Sequence, residues 1–143
     1  MKHCLICAGT MLLAACGSQP EFTHGMWTTE VNLAAAEGEL WSSKTERCID
    51  PEAGDPVTGM LSMTPLGPCQ AAQSESSGDQ LHVTANCMGR PDAMMGGMPQ
   101  TRISMKGSRS ATSIDAVIEA ESAMEPQSPK LTGKLVARRT GDC

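Results

Sequence analysis

Aromatic residues are almost missing from this 143-residue chain, which has no tyrosine, one phenylalanine and two tryptophans. This scarcity excludes a core that depends on aromatic packing. Eleven methionines and many alanines are present instead. Since the methionine side chain is flexible and fills irregular gaps, the sequence predicts a core of aliphatic, alanine and methionine side chains.

Histidine is also scarce, and only His24 and His82 lie beyond the N-terminal segment. A hydrolase that uses serine or cysteine as its nucleophile needs a base beside that residue. The sequence contains no Gly-x-Ser-x-Gly, no His-Glu-x-x-His, no phosphate loop and no Gly-x-Gly-x-x-Gly. We interpret both histidines as surface residues, and we expect neither catalytic activity nor a cofactor.

Basic residues are also few: the chain has eleven lysines and arginines and sixteen acidic residues. Loss of residues 1–15 would remove Lys2 and no acidic residue, leaving a formal charge of −6. A protein that binds nucleic acid needs a basic face for the phosphates. The composition therefore argues against nucleic acid as a partner.

The sequence has no apolar run of the roughly 20 residues that a membrane-spanning helix needs. Its apolar stretch from Cys4 to Leu13 follows Lys2 and precedes Ala14, Ala15 and Cys16, an arrangement typical of an export signal. The Leu13-Ala14-Ala15-Cys16 segment resembles a bacterial lipobox. Residues 1–15 are thus interpreted as a signal peptide and Cys16 as the lipidated residue. The alternative is an ordinary secretory signal whose cut happens to precede a cysteine.

A lipid on Cys16 would anchor the domain to a membrane, with residues 16–24 as its N-terminal tether. Several acyl chains hold far more strongly than one, at roughly 0.8 kcal/mol per buried CH₂. In the lipoproteins that this segment resembles, Gly17 and Ser18 after the lipidated cysteine, rather than Asp, favour sorting to the outer membrane. We expect a protein of the cell envelope on the periplasmic face of that membrane.

Four of the seven cysteines remain after Cys4 and Cys7 are removed and Cys16 is lipidated: Cys48, Cys69, Cys87 and Cys143. An even number in an exported chain predicts two disulfides. A polar turn signal over residues 76–79 lies midway between Cys69 and Cys87, so a hairpin would place these two opposite each other. Cys48 then pairs with Cys143. The chain-entropy model assigns about 3 kcal/mol to the small loop and about 4.7 kcal/mol to the large one.

A four-cysteine zinc site is the alternative for these residues. No two of them have the close spacing that such sites use, and an oxidising compartment favours disulfides. We therefore prefer the two disulfides.

Period-two alternation of apolar residues predicts several strands with one buried side. The alternating sets are Trp27, Thr29, Val31 and Leu33; Leu81, Val83, Ala85 and Cys87; Leu131, Gly133, Leu135 and Ala137; and residues 102–106. Residues 112–124 fit a strand better than a helix, although both patterns are present. Prolines punctuate residues 48–69 and leave room for one short helix near residues 57–63.

These features predict a mainly β fold: one small antiparallel β domain over residues 25–143, a sandwich or partly closed barrel, with at most one short helix and two disulfides. The 128 residues that would remain after loss of residues 1–15 are enough for a single core but not for two.

A family resemblance rests on four features. Gly25-Met26-Trp27 opens a strand, a cysteine follows about twenty residues later, a Cys-strand-turn-strand-Cys unit comes next, and Arg139-Thr140-Gly141-Asp142-Cys143 closes the chain. Together they resemble the bacterial family called domain of unknown function 3617, over roughly residues 25–143. Members of that family are small exported proteins, often lipoproteins. The resemblance implies an exported, disulfide-linked architecture and no catalytic residue.

A methionine-rich loop covers residues 88–98, with Met88, Met94, Met95 and Met98. Thioether sulfur is a soft ligand that suits Cu(I). Two other interpretations stay open: the methionines fill space, or they present an adaptable apolar surface to a partner. The sequence thus favours a lipid-anchored, non-catalytic module that binds a partner in the cell envelope, and its alternative is a Cu(I)-binding lipoprotein that uses this loop.

Overall fold

The computed structural model describes residues 21–70, 73–75, 77–88, 100–124, 127 and 130–143. Seven strands lie in this part of the chain: β1 (Gly25–Ala35), β2 (Gly38–Ile49), β3 (Gln73–Ser74), β4 (Gln80–Cys87), β5 (Thr101–Arg109), β6 (Ser113–Ser122) and β7 (Leu131–Gly141). A single turn of 3₁₀ helix, Pro51–Ala53, and the helix α1, Pro56–Ser62, connect β2 to β3.

All seven strands belong to one antiparallel sheet in the order β2-β1-β7-β6-β5-β4-β3. The mainly β, antiparallel prediction is confirmed, and the strands of the described ranges form one sheet rather than the two of a sandwich. Most neighbours are also consecutive in sequence, as short connections favour. The exception is β7, which lies between β1 and β6.

One face of the sheet carries the core. The alternation predicted from the sequence is confirmed: every second residue is buried over most of β1 and β4, and the first part of β7 buries Leu131, Leu135 and Ala137 with Gly133 half-buried. Residues 113–122 form a strand too, and Ile114 and Ile118 of β6 are fully buried. The predicted aliphatic, alanine and methionine core is confirmed: it includes Met60, Met105 and four alanines, with Phe22 and Trp27 as its aromatic members.

Helix α1 packs on this face because Val57, Met60 and Leu61 join the same buried cluster. Its start is specified locally. Asp55 caps the helix by accepting hydrogen bonds from the Thr58 backbone N–H at 3.0 Å and from its hydroxyl at 2.5 Å, and Pro56 occupies the first turn. The short helix predicted near residues 57–63 is confirmed. The connection between β2 and β3 thus joins the two outer strands of the sheet, and its helix α1 covers part of the core.

Both predicted disulfides are present, Cys48–Cys143 and Cys69–Cys87. Cys69 and Cys87 lie opposite each other as an antiparallel pair, as the hairpin argument required. The turn between β3 and β4 includes Gly78 in the left-handed region, with φ of 58°, where glycine has no steric penalty. The first disulfide fastens the end of β2 to the segment that follows β7.

Candidate functional site

An open groove of about 740 Å³ lies beside the start of β1. Three separate parts of the chain line it: the segment before β1, the segment from the end of β2 to the start of α1, and the last residue of β5. The lining residues are Glu21, Phe22, His24, Asp50, Pro51, Glu52, Asp55, Pro56 and Arg109. We call this feature the β1 groove.

Four carboxylates and one guanidinium give the β1 groove an acidic rim. Two of the carboxylates have structural roles: Asp55 caps α1, and Asp50 accepts a hydrogen bond of 3.0 Å from the Glu52 backbone N–H at the start of the 3₁₀ turn. The side chains of Glu21 and Glu52 belong to exposed residues. The acidity of the rim therefore comes partly from helix capping and partly from exposed charge.

Phe22 and Arg109 form the less acidic side of the β1 groove. The guanidinium carbon of Arg109 lies 4.4 Å from the centroid of the Phe22 ring, and Phe22 packs edge-to-face on Trp27 with ring centroids 5.7 Å apart. Burial lowers the pKa of Arg109, and the charge of Asp55 opposes that shift. Arg109 is thus a fixed cation over an aromatic ring that is itself part of the core.

His24 lies between the β1 groove and the Cys48–Cys143 disulfide. Its Nε2 is 3.9 Å from Cys48 Sγ, and all three residues are exposed. The Nε–H of Arg139 donates to the His24 carbonyl oxygen at 2.9 Å, and the Arg139 guanidinium also pairs with Asp142. Arg139 therefore links the start of β1 to the end of the chain at this cluster.

The candidate site residues inferred from sequence fall into two groups. Cys48, Cys69, Cys87 and Cys143 form the two predicted disulfides. Of the methionine-rich loop, the structure describes Met88, which is 53% exposed; Met94, Met95 and Met98 lie outside the described residues, as does Cys16.

Sequence reasoning missed the β1 groove. Its residues come from positions 21–24, 50–56 and 109, and no spacing motif connects these segments. The one local signal was Asp followed by Pro, which marks the start of a helical turn at both Asp50 and Asp55. His24 is exposed, as expected, and its position beside a disulfide carries no mark in the sequence.

None of the helices in the described part of the chain is both long and apolar enough to span a bilayer.

Comparison with known proteins yields one match. No curated protein and no solved structure matches the chain. The family described as "Protein of unknown function (DUF3617)" matches residues 19–143, which include every residue of the β1 groove and both disulfides. The match covers well over half of the sequence and agrees with the resemblance inferred from its motifs, so the chain belongs to the DUF3617 family.

Proposed function

We propose that the protein is a lipid-anchored protein of the cell envelope and acts as a non-catalytic module that binds a partner protein in the β1 groove. The observation that carries this proposal is the groove itself, an open concavity of about 740 Å³ with charged walls. The disulfides support an exported protein, because such bonds persist in oxidising compartments. The lipobox-like segment that ends at Cys16 supports the anchor.

The tether would hold the β1 groove close to the membrane. Glu21 lines the groove and lies five residues after Cys16. Five residues span at most about 18 Å when fully extended. A partner in the groove would therefore lie near the membrane surface, where envelope proteins present their juxtamembrane segments.

The charges of the β1 groove indicate the chemistry of the partner. Its exposed carboxylates, Glu21 and Glu52, attract positive charge, while Phe22 and the two prolines offer apolar contact. Complementary charge across an interface steers association and excludes partners of the wrong sign. We infer a partner segment that contains lysine or arginine next to an apolar residue.

Site-specific photocrosslinking in cells tests this assignment. A photoreactive amino acid at Glu52 should crosslink to a defined envelope protein. The matched position is Thr132, an exposed residue in the first part of β7 that does not line the groove. The same crosslinked species from both positions, or none from position 52, would contradict the proposal.

Charge reversal gives a second test. With the photoreactive amino acid placed at Glu21, which lines the same groove, Glu52→Lys should reduce recovery of the crosslinked partner. The fold should not change, because the Glu52 backbone N–H makes the capping bond and the Glu52 side chain is exposed. Glu37→Lys is the matched control, because Glu37 is exposed in the turn between β1 and β2 and outside the groove. Equal recovery with both variants would show that the charge of the groove does not select the partner.

The anchor is tested separately. Cys16→Ala should abolish incorporation of labelled fatty acid. Labelled fatty acid that is still incorporated in this variant would refute lipidation of Cys16 and leave the groove proposal standing.

A second candidate function is Cu(I) binding by the methionine-rich loop. The observation that favours it is the exposure of Met88, whose thioether is not used in the core. Met94→Leu/Met95→Leu/Met98→Leu should preserve the fold, because leucine is close to methionine in volume, and should abolish Cu(I) uptake by the oxidised protein. Uptake that survives the triple substitution would exclude this loop as the site.

A further inference from the structure

A second set of soft ligands lies at the Cys48–Cys143 disulfide. Among the residues that the structure describes, His24, Cys48 and Cys143 form a group whose ligand atoms all lie within 4.8 Å of one another. The imidazole Nε2 is 3.9 Å from Cys48 Sγ. The two sulfur atoms are joined to each other in the disulfide.

The backbone around His24 is fixed on several sides. The Thr23 N–H donates to the Ala111 carbonyl at 2.8 Å, and the indole N–H of Trp27 donates to the Thr23 carbonyl at 3.0 Å. The His24 carbonyl accepts from Arg139. These bonds use backbone atoms of residues 23 and 24, so they hold the backbone that carries the imidazole ring and do not use the ring nitrogens.

The two sulfur atoms are accessible and lie outside the core. Cys48 is the penultimate residue of the outer strand β2, and Cys143 follows the last residue of β7 by two positions; both are exposed. In contrast, Cys87 is 1% exposed and belongs to the core. A dithiol reductant in solution would therefore reach Cys48–Cys143 before Cys69–Cys87.

We propose that reduction of Cys48–Cys143 by a dithiol creates a three-coordinate Cu(I) site, formed by the thiolates of Cys48 and Cys143 and by His24 Nε2. The dithiol supplies two electrons and two protons: its two S–H groups become one S–S bond, and the Cys48–Cys143 bond becomes two S–H groups. Cu(I) then replaces the two thiol protons, which leave to solvent. This site is separate from the methionine-rich loop and shares one residue, His24, with the lining of the β1 groove.

The donor set favours Cu(I). Thiolate and imidazole are ligands that select soft cations, and Cu(I) is stable with three of them. Structural zinc sites use four protein ligands, one more than this cluster provides. One Cu(I) and two thiolates carry one net negative charge, and the Arg139 guanidinium lies next to the third ligand residue, because its Nε–H donates to the His24 carbonyl. The bound metal would also restore the link between β2 and the end of the chain that reduction breaks.

The test compares oxidised and reduced full-length protein, purified in detergent under anaerobic conditions. Dithiothreitol reduces the exposed disulfide and is then removed, and Cu(I) is titrated in competition with a chromophoric chelator. Reduction should add one Cu(I) per chain. Cys48→Ser and Cys143→Ser should each abolish this added site. His24→Gln should weaken it by about tenfold or more, because even changes outside the ligand shell cost about 10- to 100-fold in metal affinity.

The matched control is His82→Gln, which removes a histidine from β4, a strand distant from Cys48 in the order of the sheet, and should leave the affinity unchanged. The Met94→Leu/Met95→Leu/Met98→Leu variant should keep the added site, which separates it from copper binding by the loop. X-ray absorption of the loaded protein should show sulfur and nitrogen ligands, and His24→Gln should remove the nitrogen.

Three results would overturn the proposal. The first is that the reduced protein binds no more Cu(I) than the oxidised protein. The second is that Cys48→Ser still binds the added Cu(I). The third is that wild type and His24→Gln bind it with equal affinity. In a Trp41→Phe background, Trp27 fluorescence reports whether the reduced protein keeps its fold, since the indole bond of Trp27 to Thr23 adjoins the site. A reduced chain that has lost this environment would refute the proposal as well, because the three ligands then have no common position.

Discussion

Gly133 is a position at which one added methyl group should disturb the sheet, because the neighbouring backbone leaves no room for it. It lies inside β7, opposite Leu33 of β1 and Ile118 of β6. A Cβ built there would lie 2.0 Å from the carbonyl oxygen of Asn32 and 2.8 Å from Leu33 Cδ2. Glycine within a strand often marks such a close approach of a neighbouring backbone. Gly133→Ala must therefore move β7 away from β1 or distort both strands.

The magnitude follows from two opposing effects. Forcing an extra carbon into a packed region typically costs about 1–3 kcal/mol. Replacing glycine by alanine also restricts the unfolded chain, which stabilises the fold by about 0.4–1 kcal/mol where the backbone accepts the side chain. For Gly133→Ala we expect a net loss of about 1–2 kcal/mol in the free energy of unfolding.

Gly141 provides the matched control within the same strand. A Cβ at Gly141 has no atom within 4 Å, and Gly141 does not have positive φ. Gly141→Ala should therefore raise the free energy of unfolding by up to about 1 kcal/mol. The two variants carry the same chemical change and should shift stability in opposite directions.

Urea unfolding with both disulfides intact, followed by tryptophan fluorescence, measures the two shifts. The slope of the free energy against urea should stay constant, so that a change in midpoint reports stability alone. A Gly133→Ala midpoint equal to or above that of the wild type would refute the argument, because it would mean that the Asn32 backbone does not limit the space at position 133.

Three further predictions concern the helix cap, an exposed ion pair and the core. Asp55→Ala should lower the free energy of unfolding by about 1 kcal/mol, because it removes the oxygen that accepts both hydrogen bonds from Thr58. Asp55→Asn keeps a capping oxygen and should lower it by much less. Urea unfolding midpoints compare the two variants. The Glu30 carboxylate, 2.6 Å from Lys44 Nζ, raises the pKa of Lys44 mainly through its hydrogen bond. The stabilisation that this pair adds is therefore present at neutral pH and is lost as the pH rises through the raised pKa. NMR titration should show a lower Lys44 pKa in Glu30→Gln than in the wild type. Met105 is fully buried, so Met105→Leu should lower the free energy of unfolding by less than about 1.5 kcal/mol and Met105→Ala by about 2–5 kcal/mol. Urea unfolding measures both losses. Equal losses would show that the Met105 side chain does not fill the core.

The strands that sequence alone predicted are those with one buried face. In β1, β4 and β7 the apolar residues alternate, because successive side chains of a strand point to opposite sides of the sheet. The ambiguous segment over residues 112–124 resolves into β6 for the same reason. Neighbouring strands cover both edges of β6, which favours the period of two over that of a helix.

The strand that sequence reasoning missed is β2, at one edge of the sheet; β3, at the other edge, was predicted only as the first arm of the hairpin between Cys69 and Cys87. Residues 42–48 of β2 read Ser-Ser-Lys-Thr-Glu-Arg-Cys and are exposed or half-buried throughout. An outer strand with polar side chains resists pairing with other chains, and the same composition removes the apolar alternation that would reveal it. Only its pairing with β1 makes this segment a strand.

The order of the strands is likewise a property of the folded chain. The closing strand β7 pairs with β1 as well as with β6, so its position joins residues more than 100 apart in sequence. The same alternation of apolar residues is compatible with many strand orders, because it specifies only which face of each strand is buried. Packing of α1 and the Cys48–Cys143 bond are compatible with the order that the structure adopts.

The sequence by itself determined the fold class, the disulfide pairs and the place of the short helix. Alternation reveals the strands, a midpoint turn pairs Cys69 with Cys87 and leaves Cys48 for Cys143, and prolines limit the helix to a short segment. The tertiary structure alone decided the strand order, the β1 groove and the cluster of His24 with the disulfide. These arise where segments near residues 24, 50, 109 and 143 meet. Their meeting depends on long-range pairing, whose cost in chain entropy is offset only once the whole sheet has formed.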